Sequence, residues 1–363
     1  MFKWRALIII LIAISAIILV LTIMFLGDPF ILHPELRNVK KPTLNLEKIP
    51  RLILAFYYPW YGTPDGPTGF WRHWDEGGHN PNTLRDGRKD LGATDYPVNG
   101  PYDSKDESII TWHFKLAEEA GLDGFIVSWW GFEKFEDEVF RLILKTSEEV
   151  NTSIKLTVYY EIIRGVRDEV IKDIEQILRD YGSREAFLKV QGYPVIFIYS
   201  RALQQLGYRD WDYVVRKVRY DGFKVLLIAD SFDERAAEIF DGIHTYNPVG
   251  ILHRGESLKD TYINARRVAD KHGVIFLATT LPGYDDIHVR QPGLAYPRRN
   301  GSTYKETWEA VYESNADWVL ICSWNEWHEG SEIEPSLEHR DLYLNITADN
   351  ARRFKGHQGG SSI

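Results

Sequence analysis

The stretch Ala120-Gly-Leu-Asp-Gly-Phe-Ile-Val-Ser-Trp-Trp130 holds the unit from which this chain is built. It is entered from a segment, 107–120, in which Ile109, Trp112, His113, Leu116, Ala117 and Ala120 share one helical face. It then runs into Gly124–Trp129, a short series of apolar, β-branched and aromatic residues that reads as a strand. Helix, connection, strand and an aromatic end follow one another within about two dozen residues.

Outward from this copy, similar runs recur at 52–58, 155–160, 194–199, 224–229, 242–246, 274–279 and 318–323, which with 124–129 makes eight. Amphipathic stretches at 136–149, 169–181, 258–271 and 304–314 separate several of the others. Strands that alternate with helices imply parallel pairing, and eight such units close naturally into a barrel. The predicted fold class is therefore α/β, a (β/α)8 TIM barrel. Its weakest unit lies between the fifth and sixth runs, where 234–239 is the only helix candidate. A doubly wound open sheet is the alternative, but no Gly-rich phosphate loop follows any run.

A parallel barrel carries its chemistry at the C-terminal ends of its strands. Those ends read Tyr57-Tyr58-Pro59-Trp60, Ser128-Trp129-Trp130, Tyr160-Glu161, Tyr199-Ser200, Asp230, Tyr246-Asn247, Pro282-Gly283-Tyr284-Asp285 and Trp324-Asn325-Glu326-Trp327. Aromatic rings stack on sugar faces and carboxylates accept from sugar hydroxyls, so this rim suits a carbohydrate. Glycoside hydrolysis generally needs two carboxyl groups flanking the bond. Glu326 and Glu329 stand immediately after the last run, with Glu332 and Glu334 behind them. Trp324 and Trp327 lower the local dielectric, which raises a neighbouring carboxyl pKa. Without such neighbours the four Glu would read as a solvated acidic loop. The Gly-, Pro- and Asp-rich segment 62–105 is expected to fold over the mouth.

Four segments now carry a resemblance: Tyr57-Tyr-Pro-Trp-Tyr-Gly62, Ala120 to Trp130 as quoted above, Pro282-Gly-Tyr-Asp285, and Trp324-Asn-Glu-Trp-His-Glu-Gly-Ser-Glu-Ile-Glu-Pro335. Together they resemble glycoside hydrolase family 99, the endo-α-1,2-mannosidases and endo-α-1,2-mannanases, from about residue 52 to about residue 353. The resemblance implies a (β/α)8 barrel and an endo-acting, retaining hydrolase that cuts internal α-1,2-type mannosidic linkages in a mannose-containing glycan. It implies that the sugar's own 2-hydroxyl is the nucleophile, through a 1,2-anhydro sugar. Glu326 would be the base on that hydroxyl and Glu329 the general acid and base at the departing oxygen. Tyr58, Trp60, Glu161, Tyr246, Tyr284 and Arg299 match segments that line the sugar cleft, and Trp327 joins this binding set. The chain departs from the family pattern at Tyr199-Ser-Arg201 and Asp230-Ser-Phe232, where the flanking sugar would sit.

Composition narrows the alternatives. With 363 residues, 44% hydrophobic and 26% charged, the chain is globular and long enough for one large barrel. A net charge of −9 argues against a nucleic-acid partner, and Arg216, Lys217 and Arg219 read as a solvated helix face. The lone Cys322 excludes an internal disulfide and reads as a small buried hydrophobe. His328-Glu329-x-x-Glu332 lacks the second His of the helical zinc motif, and Gly330 disfavours a helix, so neither metal nor cofactor is expected. His113 reads as a core residue.

The amino terminus carries a different signal. Residues 6–26 hold no charge, enough to cross a ~30 Å hydrocarbon core as a transmembrane helix. Lys3 and Arg5 before it favour an uncleaved single-pass anchor with the catalytic domain extracytoplasmic. The expected organisation is an anchor at 1–26, a linker at 27–50, the barrel at 51–355 and a flexible tail at 356–363. Two further functions compete with hydrolysis: a membrane-associated glycosyltransferase or transglycosylase of surface-glycan assembly, and a catalytically silent carbohydrate-binding barrel.

Overall fold

The computed structural model describes residues 33–356. Eight strands form the barrel: β1 (Ile53–Tyr57), β2 (Gly124–Trp129), β3 (Lys155–Tyr160), β4 (Tyr193–Ile198), β5 (Leu226–Asp230), β6 (Gly242–His244), β7 (Ile275–Thr280) and β8 (Trp318–Ile321). Each pairs in parallel with the next, and β8 pairs with β1, so the sheet closes on itself. The expected runs overshoot at 58, 199, 245–246 and 322–323. Apolar and aromatic residues continue there past the last ladder bond into the barrel mouth, and hydrophobicity does not distinguish the two.

Residue parity along the strands sorts the core into two layers. Leu54, Phe56, Ile126, Tyr159, Val195, Phe197, Leu226, Ile228, Ile275, Leu277, Trp318 and Leu320 fall in one buried cluster, the barrel interior. Ile53, Ala55, Tyr57, Phe125, Val127, Leu156, Val158, Ile196, Ile198, Leu227 and Ala229 fall in the other, packed against the helices. Gly124 starts β2 because a Cβ there would stand 2.3 Å from the Lys155 carbonyl oxygen on the neighbouring strand.

The helices α1 (Glu107–Glu119), α2 (Phe135–Val150), α3 (Arg167–Asp180), α4 (Tyr208–Tyr220), α5 (Glu234–Ile239), α6 (Leu258–His272), α7 (Ser302–Glu313) and α8 (Leu342–Gly356) surround the barrel. The short α5 is the connection from β5 to β6, as the spacing implied. On α1 the buried stripe is Ile110, His113, Phe114 and Ala117, so the core-facing stripe is shifted slightly from the expected one, and Ile109, Trp112 and Leu116 flank it.

Three expectations need correction. Arg219 on α4 does not lie on a solvated face: its guanidinium is buried and pairs with buried Asp241 at 2.7 Å. From residue 33 onward the segment expected as a linker is packed onto the barrel. Leu36 is fully buried, Lys41 donates to the Phe240 carbonyl at 2.7 Å and to that of Ala237, and Arg216 donates to the carbonyls of Arg37 and Val39. Residue 356, expected to begin a flexible tail, is instead the last residue of α8. The expected anchor at 6–26 and residues 357–363 of that tail lie outside the described residues. Among the described residues no helix is long and apolar enough to cross a membrane.

Candidate active site

The site grows from the end of β8. After Ile321 the chain passes through Cys322 and Ser323, and the Ser323 Oγ accepts from the Glu326 N–H at 2.8 Å. Glu326 then caps a single 3₁₀ turn, Trp327–Glu329, its carboxylate accepting from the His328 N–H at 3.2 Å. Gly330 ends that turn at φ 51°, a left-handed conformation that favours glycine, with the Asp285 carbonyl oxygen only 3.0 Å from where a Cβ would stand. The tight turn brings Glu326 and Glu329 to the same wall.

Asn325 joins this wall to β1. Its Oδ1 accepts from the Tyr58 N–H at 2.7 Å and its Nδ2 donates to the Tyr58 carbonyl at 3.0 Å, so the first and last strand ends are held in fixed register. Tyr246, beyond β6, donates its hydroxyl to Glu329 Oε2 at 3.0 Å, while its backbone N–H is held by Asp230 at the end of β5 at 2.9 Å. Arg290 donates to Glu329 Oε1 at 2.9 Å. Across the mouth, Ser128 at the end of β2 donates to Glu161 at 2.8 Å and accepts from the Trp130 indole at 3.0 Å.

These side chains enclose a cavity of about 290 Å³ lined by Tyr58, Trp60, Trp130, Tyr159, Glu161, Tyr199, Arg201, Tyr246, Arg290, Glu326 and Glu329. That volume is at the low end of small-ligand sites, about 300–1,000 Å³. A larger cavity of about 400 Å³ lies beside the Leu84–Arg85 and Arg88–Lys89 hairpin, where neither Glu326 nor Glu329 reaches it.

The electrostatics of the cavity follow from burial. Desolvation, reinforced by the charge of Glu329, pushes the Glu326 carboxyl well above the usual carboxylate range. Desolvation also raises Glu161 to about 8 against the Ser128 hydrogen bond and the nearby Arg201 cation. Burial likewise raises the phenols of Tyr58, Tyr159 and Tyr246, which therefore stay protonated, and Tyr159 and Tyr246 donate to Asp230 and Glu329.

The structure brings Tyr58, Trp60, Glu161, Tyr246, Glu326 and Glu329 to the wall of one cavity. Tyr284 stands one layer back, its hydroxyl accepting from Arg290 and donating to Asp286, each at 2.8 Å. Trp327 is wholly buried behind the wall, its indole donating to Tyr102 at 3.1 Å. Arg299 does not join the cavity: it points to Glu306 and Thr303 on α7, with its side chain 44% exposed. Arg290, Asn325, Trp130, Tyr199 and Arg201 were not anticipated as site residues. Trp130, Tyr199 and Asn325 stand within the strand-end segments already read as the rim, whereas Arg290 lies in a long loop and had no such signal.

The remaining two Glu of the segment are buried but face away from the cavity. Glu332 pairs with Arg298, beside Asp95. Glu334 accepts from the Tyr102 hydroxyl at 2.8 Å and lies 3.2 Å from His113, whose other nitrogen meets the Tyr57 hydroxyl at 3.0 Å. His113 and Cys322 are both core residues. The 62–105 segment folds across this end of the barrel, with Thr94 donating to the Asp285 carbonyl and Val98 to that of Pro335.

A carboxylate pair at the last strand end, on an aromatic wall at the C-terminal mouth of a parallel barrel, agrees with what comparison finds. A family model described as glycosyl hydrolase family 99 matches residues 48–350. The chain belongs to this family. It is a glycoside hydrolase of the endo-α-mannosidase family. Among its relatives, the glycoprotein endo-alpha-1,2-mannosidase of Mus musculus is 28% identical, over 87% of this chain and 78% of the relative. The glycoprotein endo-alpha-1,2-mannosidase-like protein of Homo sapiens is 28% identical, over 83% of this chain and 75% of the relative. The solved endo-alpha-mannosidase of this family from Bacteroides thetaiotaomicron superposes with a TM-score of 0.74 at 26% identity, covering 88% of this chain and 100% of that one.

Proposed function

We propose that this family 99 enzyme is an endo-acting, retaining α-mannosidase that cleaves internal α-1,2-type mannosidic linkages, with Glu326 and Glu329 as its proton-transfer pair. The observation that carries the reading is that these two carboxyl groups open onto one aromatic-walled cavity, while Glu332 and Glu334 are turned away from it. In the first step the 2-hydroxyl gives its proton to Glu326 as its oxygen bonds to the adjacent anomeric carbon. The bond to the leaving glycan breaks, and the leaving oxygen takes a proton from Glu329. In the second step water adds to the anomeric carbon and gives a proton to Glu329, while the strained C1–O2 bond opens and O2 recovers its proton from Glu326. Two displacements restore the original configuration, and intramolecular attack gains from proximity.

The cycle needs one proton on the pair. Burial and the charge of Glu329 raise the Glu326 carboxyl, so it must give up any proton it holds before it can act as the base. Arg290 donates to Glu329 at 2.9 Å, a contact that must loosen when Glu329 acts as an acid. Tyr58, Trp60, Glu161 and Tyr246 would hold the sugar, and Arg201 and Trp130 stand where a flanking ring would meet the protein.

The test is incubation with α-1,2- and α-1,3-linked manno-oligosaccharides, with products read by mass spectrometry and their first-formed anomer by NMR. Internal cleavage with retention by the wild type, lost in Glu326→Gln and in Glu329→Gln, is the expected result. Products longer than the substrate, appearing only with added acceptor sugar, would replace hydrolysis by transfer. For localisation we infer a single-pass anchor at 6–26 with the barrel outside the cytoplasm, supported by an uncharged run of membrane-spanning length after Lys3 and Arg5. Protease treatment of intact cells should then remove the barrel; full protection would reverse the orientation.

A further inference from the structure

Beside the Trp60 ring, the residues His73, Glu76 and His328 each bring one ligand-competent atom within 4.8 Å of the others. His73 and Glu76 come from the long segment after β1, and His328 from the turn after β8. His73 Nδ1 lies 2.9 Å from Glu76 Oε1, and His328 Nδ1 lies 3.8 Å from Glu76 Oε2. A four-coordinate zinc ion with nitrogen and oxygen ligands at about 2.0–2.1 Å separates neighbouring ligand atoms by roughly 3.3 Å. The two observed spacings, to different oxygens of the Glu76 carboxylate, bracket that value, and all three ligand atoms lie within 4.8 Å of one another.

The hydrogen bonding around His328 leaves its inward-facing lone pair free. His328 Nε2 is 2.5 Å from the His73 carbonyl oxygen, which places the ring proton on Nε2 and leaves Nδ1 of the neutral ring unprotonated. A ring nitrogen tied to a backbone carbonyl is the usual outer partner of a metal-bound histidine. His328 Nδ1 itself has no carboxylate closer than Glu76 at 3.8 Å and Glu326 at 4.0 Å. The buried Nδ1 of His73 is paired with Glu76 Oε1 at 2.9 Å, and an ion would take the place of any proton held between them.

The cluster is held before any ion arrives. Trp60 stacks on His73 at 4.5 Å and 9°, and His73 stacks on His328 at 5.4 Å and 28°. His328 is 5% exposed and Glu76 46%, so the buried ligands have an open approach through the carboxylate.

We propose that His73, Glu76 and His328 form a binding site for a first-row divalent transition-metal ion, with Zn²⁺ as the best fit. Two imidazoles and one carboxylate select such ions over the oxygen-preferring Mg²⁺ and Ca²⁺. Neither Glu326 nor Glu329 is a ligand, so the ion acts as a clamp between the segment covering the mouth and the turn that carries the catalytic pair. The proposal is independent of the hydrolytic mechanism, and its readout is metal binding.

The experiment uses the untagged full chain, stripped with a chelator and titrated with Co²⁺ under visible absorption and with Zn²⁺ by calorimetry. One equivalent should bind with the d–d bands of a nitrogen-containing site. Glu76→Gln and His73→Gln should each weaken binding at least 10-fold, and excess Mg²⁺ or Ca²⁺ should not compete. Glu76 is half-exposed, so the melting temperature of metal-free Glu76→Gln should equal that of the metal-free wild type. That variant decides the matter if His73→Gln folds poorly. Failure to take up one equivalent, or uptake that Glu76→Gln leaves unchanged, would overturn the site.

Discussion

Glu326 and Glu329 on one hand, and Glu332 and Glu334 on the other, leave the same strand within one short segment, and all four are buried. They differ in what burial has placed beside them. Glu332 meets a buried arginine, and Glu334 meets a tyrosine hydroxyl and a histidine, so each has partners that belong to the scaffold. Glu326 has one backbone donor and a second carboxyl group as its neighbour, and Glu329, although Tyr246 and Arg290 donate to it, opens onto the same cavity. Burial among scaffold partners alone makes a strut. A buried carboxyl group that also faces open space can exchange its proton with a ligand, which is what acid–base chemistry uses.

The sharpest way to test this contrast is to change one member of each pair. Glu329→Gln should lower kcat per folded molecule by about 10²–10⁴-fold, the usual weight of a general acid or base. Arg298→Met strands Glu332 without its cation and leaves Asp95 with His339 alone. It should cost about 3–5 kcal/mol of stability, the range for breaking a buried ion pair, seen in denaturant unfolding, with turnover per folded molecule preserved. An equal loss of activity per folded molecule in both variants would erase the distinction.

Smaller changes sharpen it further. Tyr246→Phe removes one hydroxyl donor from a carboxylate and should cost about 1.5–3 kcal/mol of transition-state stabilisation, roughly 10- to 100-fold in kcat/KM. Glu161, raised to about 8 by burial, binds more protons folded than unfolded between its ordinary pKa of 4.5 and that value. Stability should therefore fall as pH rises through this window. Thermal melting from pH 5 to pH 8 should show a shallower fall in Glu161→Gln than in the wild type. Arg299→Met should change neither melting temperature nor KM, although it adjoins Arg298.

Much of the barrel was legible because its signal is local. Period and run length mark strands and helices wherever the core needs them, and the same periodicity placed Glu326 and Glu329 at a strand end. The stretch 200–220 was harder. There a short helix, Ser200–Leu206, meets α4 at Gly207, and the charged residues around Val214, Val215 and Val218 mask a face that is buried. The metal motif sought along the sequence around His328 lacked a second histidine, and the one that lies near it is 255 positions away. Arg298 and Arg299 are neighbours of identical chemistry, yet one is locked into the core and the other points outward.

By itself, then, the sequence determined the alternation of strand and helix, the family, and which carboxylates stand at the mouth, since each is a property of residues close together in the chain. Only the tertiary structure decided that Arg290 holds Glu329, that Asn325 ties the last strand to the first, and that residues 33–50 grip the barrel. Those contacts join residues far apart in sequence. Which of two like side chains makes them depends on backbone direction and on which partner is left unpaired nearby, and neither is written in a residue's type.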